Sequence, residues 1–267
     1  MLITDVKAAA IDREPASREL VGSLKRGLGV MEVLAGHPGG LTLTETAERT
    51  GLDRAGARRF LLTLVAAGYA VQEGRRFSLS PRLLWVARTW LQGASLWGHA
   101  EPFMRKVAAE LNESCSAAIL SGEDVVYVAR VPGRHILRVA LEVGTRLPAW
   151  CTSMGRVLLS DLPAAELAAF LAAATICRNT DKSITDRDRL AEEIGRAGRA
   201  GFAIVDEELE IGLRSIAVPI RGRDARIVAA INVSTQASRF TPAAMERVIL
   251  PHLVAAAGRI EDFVALQ

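Results

Sequence analysis

The stretch that decides the fold reads LTLTETAERTGLDRAGARRFLLTLVAAGYAV and runs from Leu41 to Val71. It holds two short amphipathic helical patterns, which are interrupted at Thr50-Gly51-Leu52-Asp53. Gly51 suits the C-terminal end of the first helix, and Asp53 suits the N-cap of the second. Apolar side chains recur at helical spacing along the second helix and predict a small core, made of Ala57, Phe60, Leu61, Leu64 and Val65. Two helices joined by a short glycine turn are typical of a helix-turn-helix motif.

The first turns of the second helix carry side chains that the predicted core leaves exposed: Arg54, Ala55, Arg58 and Arg59. In helix-turn-helix proteins, the N-terminal residues of the second helix contact base edges in the major groove of DNA. These four residues are therefore predicted DNA contacts. The alternative is that the arginines form only a solvated helix face.

A hairpin pattern follows the second helix. QEGRRFSLS (Gln72–Ser80) alternates around Glu73-Gly74, and it places Arg75 and Arg76 at the tip of a predicted wing. Between Arg54 and Arg88 there are seven arginines and no lysine, whereas the whole chain carries a net charge of only +3. This concentration of positive charge favours contact with DNA phosphates.

A further helix is predicted before this motif, with Ser23 as its cap and its end at Gly36. Lys25 and Arg26 lie near its start and are predicted to reach the DNA backbone.

The composition is that of a globular protein with room for a small and a medium domain: 267 residues, 50% hydrophobic and 24% charged. No apolar run reaches the length of a membrane span, and the N-terminus lacks a signal-peptide layout. We therefore expect a cytoplasmic protein that does not bind membranes. The three cysteines and four histidines are scattered without ligand spacing, so we expect reduced thiols, no metal site and no cofactor.

The hydrophobic pattern predicts four segments: a loose arm at 1–17, a winged helix-turn-helix at 18–80, a connecting helix at 81–98, and a second domain at 99–267. In the second domain, hairpins are predicted at Ser114–Gly133 and Ser215–Gln236, and a further strand at His135–Gly144. Helices are predicted around them. Hairpins rather than βαβ units indicate an α+β domain with a mostly antiparallel sheet.

The connecting segment PRLLWVARTWLQGASLW (81–97) has an unusually continuous apolar face that includes Trp85, Trp90 and Trp97. Exposed tryptophans between domains indicate a partner surface, so we expect this helix to pack in a dimer. The alternative is that it folds back on its own second domain.

Several strings in the same order carry a resemblance to a known family: SLKRGLGVMEVL, ARRFLLTLVAAGY, VVYVARVP, TSMGRVLLSDLP, VDEELEIGLRSIAVPI and INVSTQASRFTP. They are similar to the IclR family of bacterial transcription regulators, from about Leu20 to Ile260. Within that family they resemble the PcaR/PcaU/PobR branch, which controls catabolism of aromatic acids through the β-ketoadipate pathway.

The resemblance implies a winged helix-turn-helix followed by a GAF-like effector-binding domain. It also implies homodimers or dimers of dimers on palindromic double-stranded DNA. By the same resemblance, Thr44 precedes the first helix of the motif and belongs to the DNA-contacting set. The implied effector is a small aromatic or dicarboxylic acid.

Thr152, Ser153, Met154 and Gly155 lead directly into an apolar helical run. The backbone N–H groups at such a helix start could hold a carboxylate, and Gly155 would permit close approach. The alternative is that Thr152 or Ser153 serves only as an N-cap. Trp150 and Cys151, just before this run, could abut an aromatic ring or belong to the core.

Strand alternation predicts a second wall of the site. Ser215 shares a face with Leu213 and Ala217, and Asn232 and Ser234 share a face with Ala230. Polar groups on apolar faces need hydrogen-bond partners, and a ligand can supply them. The resemblance adds Asp206 to the effector-binding set. Arg146 and Arg214 are candidate partners for the effector's carboxylate.

Two other classes of function are compatible with the sequence. An enzyme could use Ser153 or Cys151 as a nucleophile, but no GxSxG or GxGxxG motif is present, so we expect no enzymatic activity. A constitutive DNA-binding oligomer would bind a promoter without responding to a small molecule. The sequence names neither the acid, nor the operator, nor the sign of regulation.

Overall fold

The computed structural model describes residues 21–83, 85–86, 95–133 and 141–266. The chain divides between residues 94 and 95 into two compact units. The predicted arm at 1–17 lies outside the described residues.

The N-terminal unit packs three helices against a small antiparallel sheet. The helices are α1 (Gly22–Ala35), α2 (Leu43–Thr50) and α3 (Arg54–Ala66), and the strands are β1 (Leu41–Thr42), β2 (Ala70–Glu73) and β3 (Arg76–Leu79). The strand order is β1-β3-β2. The buried core consists of Val30, Leu34, Leu41, Ala47, Ala57, Leu61, Leu64, Ala70 and Phe77. The predicted winged helix-turn-helix is confirmed.

The turn between α2 and α3 follows the local chemistry that the sequence predicts. Gly51 has a φ of 66°, in the left-handed region that favours glycine, and its N–H donates a hydrogen bond to the carbonyl of Ala47. The Asp53 carboxylate accepts a 2.8 Å hydrogen bond from the N–H of Gly56. Both predicted helix ends are therefore confirmed.

Two predicted helix starts are wrong. Thr42 caps α2, since its hydroxyl accepts from the N–H of Glu45 (3.3 Å) and its own N–H donates to the Glu45 carboxylate (2.7 Å). Thr44 is therefore the second residue of α2 and does not precede it. Helix α1 begins at Gly22, and Val21 occupies the N-cap position without a side-chain hydrogen bond. Ser23 therefore lies inside the helix and does not cap it.

The C-terminal unit is built on one six-stranded antiparallel sheet of order β6-β5-β4-β9-β8-β7. Its strands are β4 (Ser114–Ser121), β5 (Asp124–Val131), β6 (Arg146–Pro148), β7 (Ala203–Asp206), β8 (Leu213–Arg221) and β9 (Ile227–Gln236). The two predicted hairpins are the pairs β4–β5 and β8–β9. The α+β class is confirmed.

Helices cover both faces of this sheet. They are α4 (Ser95–Leu111), α5 (Ser153–Leu159), α6 (Ala164–Ala173), α7 (Arg187–Ala200) and α8 (Leu250–Leu266). A short α-helical segment (Pro242–Ala244) and one turn of π-helix (Met245–Ile249) lead directly into α8. One apolar core lies between the sheet and α4 with α8, and a second lies between the sheet and α5, α6 and α7. The face of the sheet that packs against α5, α6 and α7 is called the inner face below, and it carries the candidate effector site.

The connecting segment differs in part from its prediction. Helix α4 begins at Ser95 and runs across the predicted boundary between 98 and 99, so that boundary is not a break between elements. Leu96 and Trp97 pack against the sheet core of their own unit. Trp85 and Val86 are 67% and 46% exposed, and residues 84 and 87–94 lie outside the described part.

The predicted strand at His135–Gly144 falls mostly on residues 134–140, which lie outside the described part. The described residues 141–144 form no strand, and Gly144 ends a turn there. Within the described ranges, no helix is long and apolar enough to cross a membrane.

Candidate functional site

The start of α3 forms an exposed cationic face. Arg54, Ala55, Arg58 and Arg59 are all exposed, while Ala57 and Leu61 turn inward. Within the described part of the chain, the three arginines form no salt bridge. Their charges therefore remain available to an external polyanion.

The two wing arginines differ. Arg75 lies at the turn between β2 and β3 beside Gly74, whose φ is 59°. Arg76 begins β3, and its guanidinium donates a 2.8 Å hydrogen bond to the Gly40 carbonyl and lies 3.8 Å from Glu45. Arg76 therefore ties the wing to the loop before α2, and Arg75 alone occupies the predicted tip.

The remaining predicted DNA contacts lie on the surfaces of α1 and α2. Lys25, Arg26 and Thr44 are all exposed. The Arg26 guanidinium donates to the Gly22 carbonyl (3.1 Å) and lies 5.9 Å from the centre of the Phe60 ring. Arg26 thus helps join α1 to α3 while its charge stays at the surface.

A cavity of about 20 Å³ lies between the inner face of the sheet, the start of α5 and the loop after β7. This volume admits about one water molecule. The residues around it are Tyr127, Leu141, Leu147, Cys151, Thr152, Ser153, Val205, Leu209, Leu213, Ser215, Asn232 and Ser234. Six of the predicted effector residues meet here, from three separate parts of the chain: Cys151, Thr152, Ser153, Ser215, Asn232 and Ser234.

Two buried polar atoms in the cavity wall lack partners among the described residues: the Ser153 hydroxyl and the Asn232 carbonyl oxygen. The Asn232 amide nitrogen donates a 3.1 Å bond to the Ser234 hydroxyl. Ser215 lies directly opposite Ser234 in the β8–β9 pairing. Burying an unpaired polar group is costly, so these two atoms indicate a place for a hydrogen-bonding ligand.

The start of α5 serves two purposes. The Thr152 hydroxyl caps the helix by accepting from the N–H of Gly155 (3.2 Å), and Thr152 also lines the cavity. Gly155 does not face the cavity. A Cβ on Gly155 would lie 2.0 Å from the Ala149 carbonyl oxygen, so the glycine permits close packing of α5 on the turn before it. Met154 is fully buried in the core beside it.

The other predicted residues also lie outside the cavity. Trp150 is a core residue. Asp206 pairs with Arg214 at 2.7 Å, and Arg214 also donates to the carbonyls of Ala237 and Phe240. Arg146 is exposed and pairs with Asp124 at 3.0 Å. Neither Arg214 nor Arg146 is therefore available to a carboxylate in the cavity.

A buried ion pair that sequence reasoning missed braces the cavity wall. The Arg156 guanidinium lies 2.7 Å from the Glu208 carboxylate, with side chains only 3% and 7% exposed. The same carboxylate accepts from the N–H of Ile184, and Arg156 also donates to the Trp150 carbonyl. This network joins α5 to the loop after β7. The partners are 52 residues apart, and no local pattern indicates such a pairing.

Strand alternation in the sequence placed one apolar residue, Leu213, on this wall; apart from the predicted Cys151, the other apolar residues, Tyr127 among them, were missed. Burial raises the pKa of Tyr127 to about 12, and that of the Cys151 thiol likewise to about 12. Both groups are therefore neutral at physiological pH. Cys151 contributes a small apolar surface and not a reactive thiolate.

Comparison with known proteins identifies two matching family models: the IclR helix-turn-helix domain over residues 23–74, and the bacterial transcriptional regulator IclR C-terminal domain over residues 88–262. The Pca regulon regulatory protein of Pseudomonas putida is 38% identical over 89% of this chain and 82% of its own length.

Two solved structures extend the comparison. A transcriptional regulator of Rhodococcus sp. RHA1 is 44% identical, with a TM-score of 0.79 over 92% of this chain and 99% of its own. The inducer-binding domain of PobR from Acinetobacter, solved as a double mutant with 3-hydroxybenzoic acid, is 30% identical. Its TM-score is 0.60 over 64% of this chain and all of its own. With its helix-turn-helix, its antiparallel sheet domain and these matches, the chain belongs to the IclR family of bacterial transcriptional regulators, in the branch of the Pca and PobR proteins.

Proposed function

We propose that this regulator responds to a small aromatic or dicarboxylic acid of the protocatechuate and 4-hydroxybenzoate branch of β-ketoadipate catabolism. The observation that carries the proposal is the cavity, whose lining combines Ser153 and Asn232, each with an unpartnered polar atom, with apolar side chains such as Leu147. A small apolar ring with polar substituents fits this combination. The names of the relatives support the same class of ligand.

The cavity must widen to hold such an acid, because about 20 Å³ is far below the roughly 150 Å³ that benzene occupies in an apolar protein cavity. The loop after β7 (residues 207–212) contributes Leu209 to the wall and also carries Glu208. A ligand that binds the wider form shifts the population toward it. Such a shift would couple effector binding to a change in the conformation of the C-terminal unit.

For DNA recognition we propose a homodimer, or a dimer of dimers, acting in the cytoplasm on a palindromic operator. Two recognition helices related by two-fold symmetry would read two half-sites. The exposed Trp85 and Val86 on the connecting segment are the apolar side chains that a partner would cover. Arg54, Arg58, Arg59 and Arg75 would supply the contacts to bases and phosphates.

The test is a thermal-shift screen of the purified chain against protocatechuate, 4-hydroxybenzoate, β-ketoadipate and cis,cis-muconate. A ligand at 100 times its Kd stabilises the folded state by about 2.7 kcal/mol, which gives a measurable rise in Tm. The matched variant is Asn232→Leu, which keeps the branched heavy-atom shape but removes the amide, and its Tm should not respond to the acid. If none of the acids shifts the wild type, the sensor proposal is wrong and a constitutive DNA-binding oligomer is favoured.

A further inference from the structure

A polar patch continues beyond the cavity along the inner face of the sheet. In the strand register, Ser114 lies opposite Ser234, and Ser116 lies opposite Asn232. Directly paired residues of antiparallel strands place their side chains on the same face. The two serines of β4 therefore extend the polar wall that Asn232 and Ser234 begin, and all four side chains are buried.

Arg130 on β5 stands at the end of this patch. It lies opposite Ser116, and its guanidinium nitrogens are 3.4 Å from the Ser116 hydroxyl and 3.5 Å from the Ser114 hydroxyl. A guanidinium bound to an anion makes shorter hydrogen bonds, of about 2.7–2.9 Å. The two serine contacts thus orient the guanidinium and leave most of its five N–H donors for another group.

The charge of Arg130 is not balanced by its described surroundings. No carboxylate of the described residues lies within salt-bridge distance of it, whereas Arg146, Arg156 and Arg214 each have such a partner. A half-buried cation without a counter-charge among the described residues favours an anionic ligand.

The guanidinium also lies beside the cavity wall. Tyr127, a cavity residue, is on the same strand and face, because it lies opposite Ala118 just as Arg130 lies opposite Ser116. The positive charge of Arg130 lowers the pKa of Tyr127 against the effect of burial, as expected for close neighbours. A ligand that widens the cavity toward β5 would therefore meet Arg130 next.

We propose that the guanidinium of Arg130 binds the carboxylate of the acid effector, held in place by the hydroxyls of Ser114 and Ser116. The inference rests on the proposed function and specifies its chemistry: the effector is recognised as a carboxylate anion, by a paired hydrogen bond that only arginine supplies. Ser153 and Asn232 are left to bind the other polar substituent of the ring. The Arg130 site distinguishes an acid from its neutral amide.

The experiment is a calorimetric titration of the full chain with 4-hydroxybenzoate and protocatechuate, each compared with its primary amide. The variants are Arg130→Gln, Arg130→Lys and the control Arg196→Gln, which removes an exposed arginine from α7. Arg130→Gln should weaken acid binding about tenfold to a hundredfold and change amide binding little, since hydrogen bonds to charged groups are of that size. Arg130→Lys should restore part of the loss, and Arg196→Gln should bind as the wild type does.

The outcomes separate the inference from the proposed function. If the wild type binds an acid and Arg130→Gln binds it equally well, the inference is wrong while the sensor role stands. If the wild type binds neither acid nor amide, the proposed function fails and this inference with it. If a thermal melt shows that Arg130→Gln folds poorly, Arg130→Lys is used in its place. A smaller ratio of amide Kd to acid Kd than in the wild type supports the inference, and an unchanged ratio overturns it.

Discussion

The two functional regions of this regulator are built in opposite ways. The proposed DNA-binding face at the start of α3 comes from one short stretch, and its arginines (Arg54, Arg58 and Arg59) are exposed and form no salt bridge with described residues. The cavity proposed to bind the effector collects residues from five strands (β5 to β9), the start of α5 and the loop after β7, and most of its side chains are buried. A surface that is read by charge can be encoded locally, whereas a closed cavity requires several distant segments to converge. The regions should therefore respond differently to mutation.

The largest expected effect concerns the ion pair that braces the cavity. Glu208→Ala leaves the Arg156 guanidinium buried without its counter-charge, so the C-terminal unit should lose about 3–5 kcal/mol of unfolding free energy. Urea denaturation followed by Trp fluorescence measures the loss. The double variant Arg156→Met/Glu208→Leu should recover much of it, because the charge is removed with its partner. A loss below about 1 kcal/mol for Glu208→Ala would show that the pair does not brace the wall.

The next effect tests whether Gly155 serves packing or ligand approach. Gly155→Ala places a methyl group 2.0 Å from a backbone oxygen and should destabilise the unit by about 3 kcal/mol, with or without effector. The matched control is Gly258→Ala in α8, where a Cβ meets no atom within 4 Å. That variant should be neutral or slightly stabilising. If Gly155→Ala is as stable as the wild type but no longer binds the effector, the result would instead support a role of Gly155 in close approach of the ligand.

Mutations of the DNA-binding face should affect only operator affinity. Arg58→Ala or Arg59→Ala should each weaken binding by about 1–3 kcal/mol if the arginine contacts a base, and effector binding should not change. Fluorescence anisotropy at constant salt, with an operator selected from a random DNA pool, measures this. Arg196→Ala is the charge-matched control. Normal operator binding by both variants would place the recognition surface elsewhere.

A smaller effect is expected inside the cavity. Ser234→Ala removes the hydroxyl that accepts from the Asn232 amide. Effector binding should weaken by about 1 kcal/mol, the size of one neutral hydrogen bond, because Asn232 is then no longer held in position for the ligand. Operator binding without effector should remain as in the wild type. The exposed Ser238 provides the control, as Ser238→Ala. An unchanged effector affinity in Ser234→Ala would remove this residue from the ligand-binding wall.

The smallest effect is a pH dependence from Asp206. The hydrogen bond from Arg214 holds the pKa of Asp206 below its ordinary value of 3.8, so the folded state binds this proton less readily than the unfolded state. The contribution to stability is therefore fully present above about pH 4 and is lost as the pH falls through the folded pKa. Asp206→Asn should make the acid-induced loss of stability shallower in melts between about pH 5 and 2. An equal slope in variant and wild type would contradict this.

Sequence reasoning succeeded where an interaction is local. Gly51 and Asp53 were identified because a helix end is determined by residues within four positions. Ser215, Asn232 and Ser234 were identified because strand alternation tells which side chains share a face. It failed for Gly155 and Asp206, whose close contacts are with Ala149 and Arg214. A sequence pattern assigns a residue to a position on an element, but not to the atoms that face it.

The sequence by itself determined the winged helix-turn-helix, the antiparallel sheet and the family, since helix ends, strand periods and motif order are properties of neighbouring residues. Only the tertiary structure decided that Arg156 meets Glu208 across 52 residues, that Asp206 and Arg214 satisfy each other, and that Arg130 stands near the cavity without a described carboxylate. The physical reason is that the partner of a charged side chain is chosen by chain packing, which brings together segments that no local pattern relates.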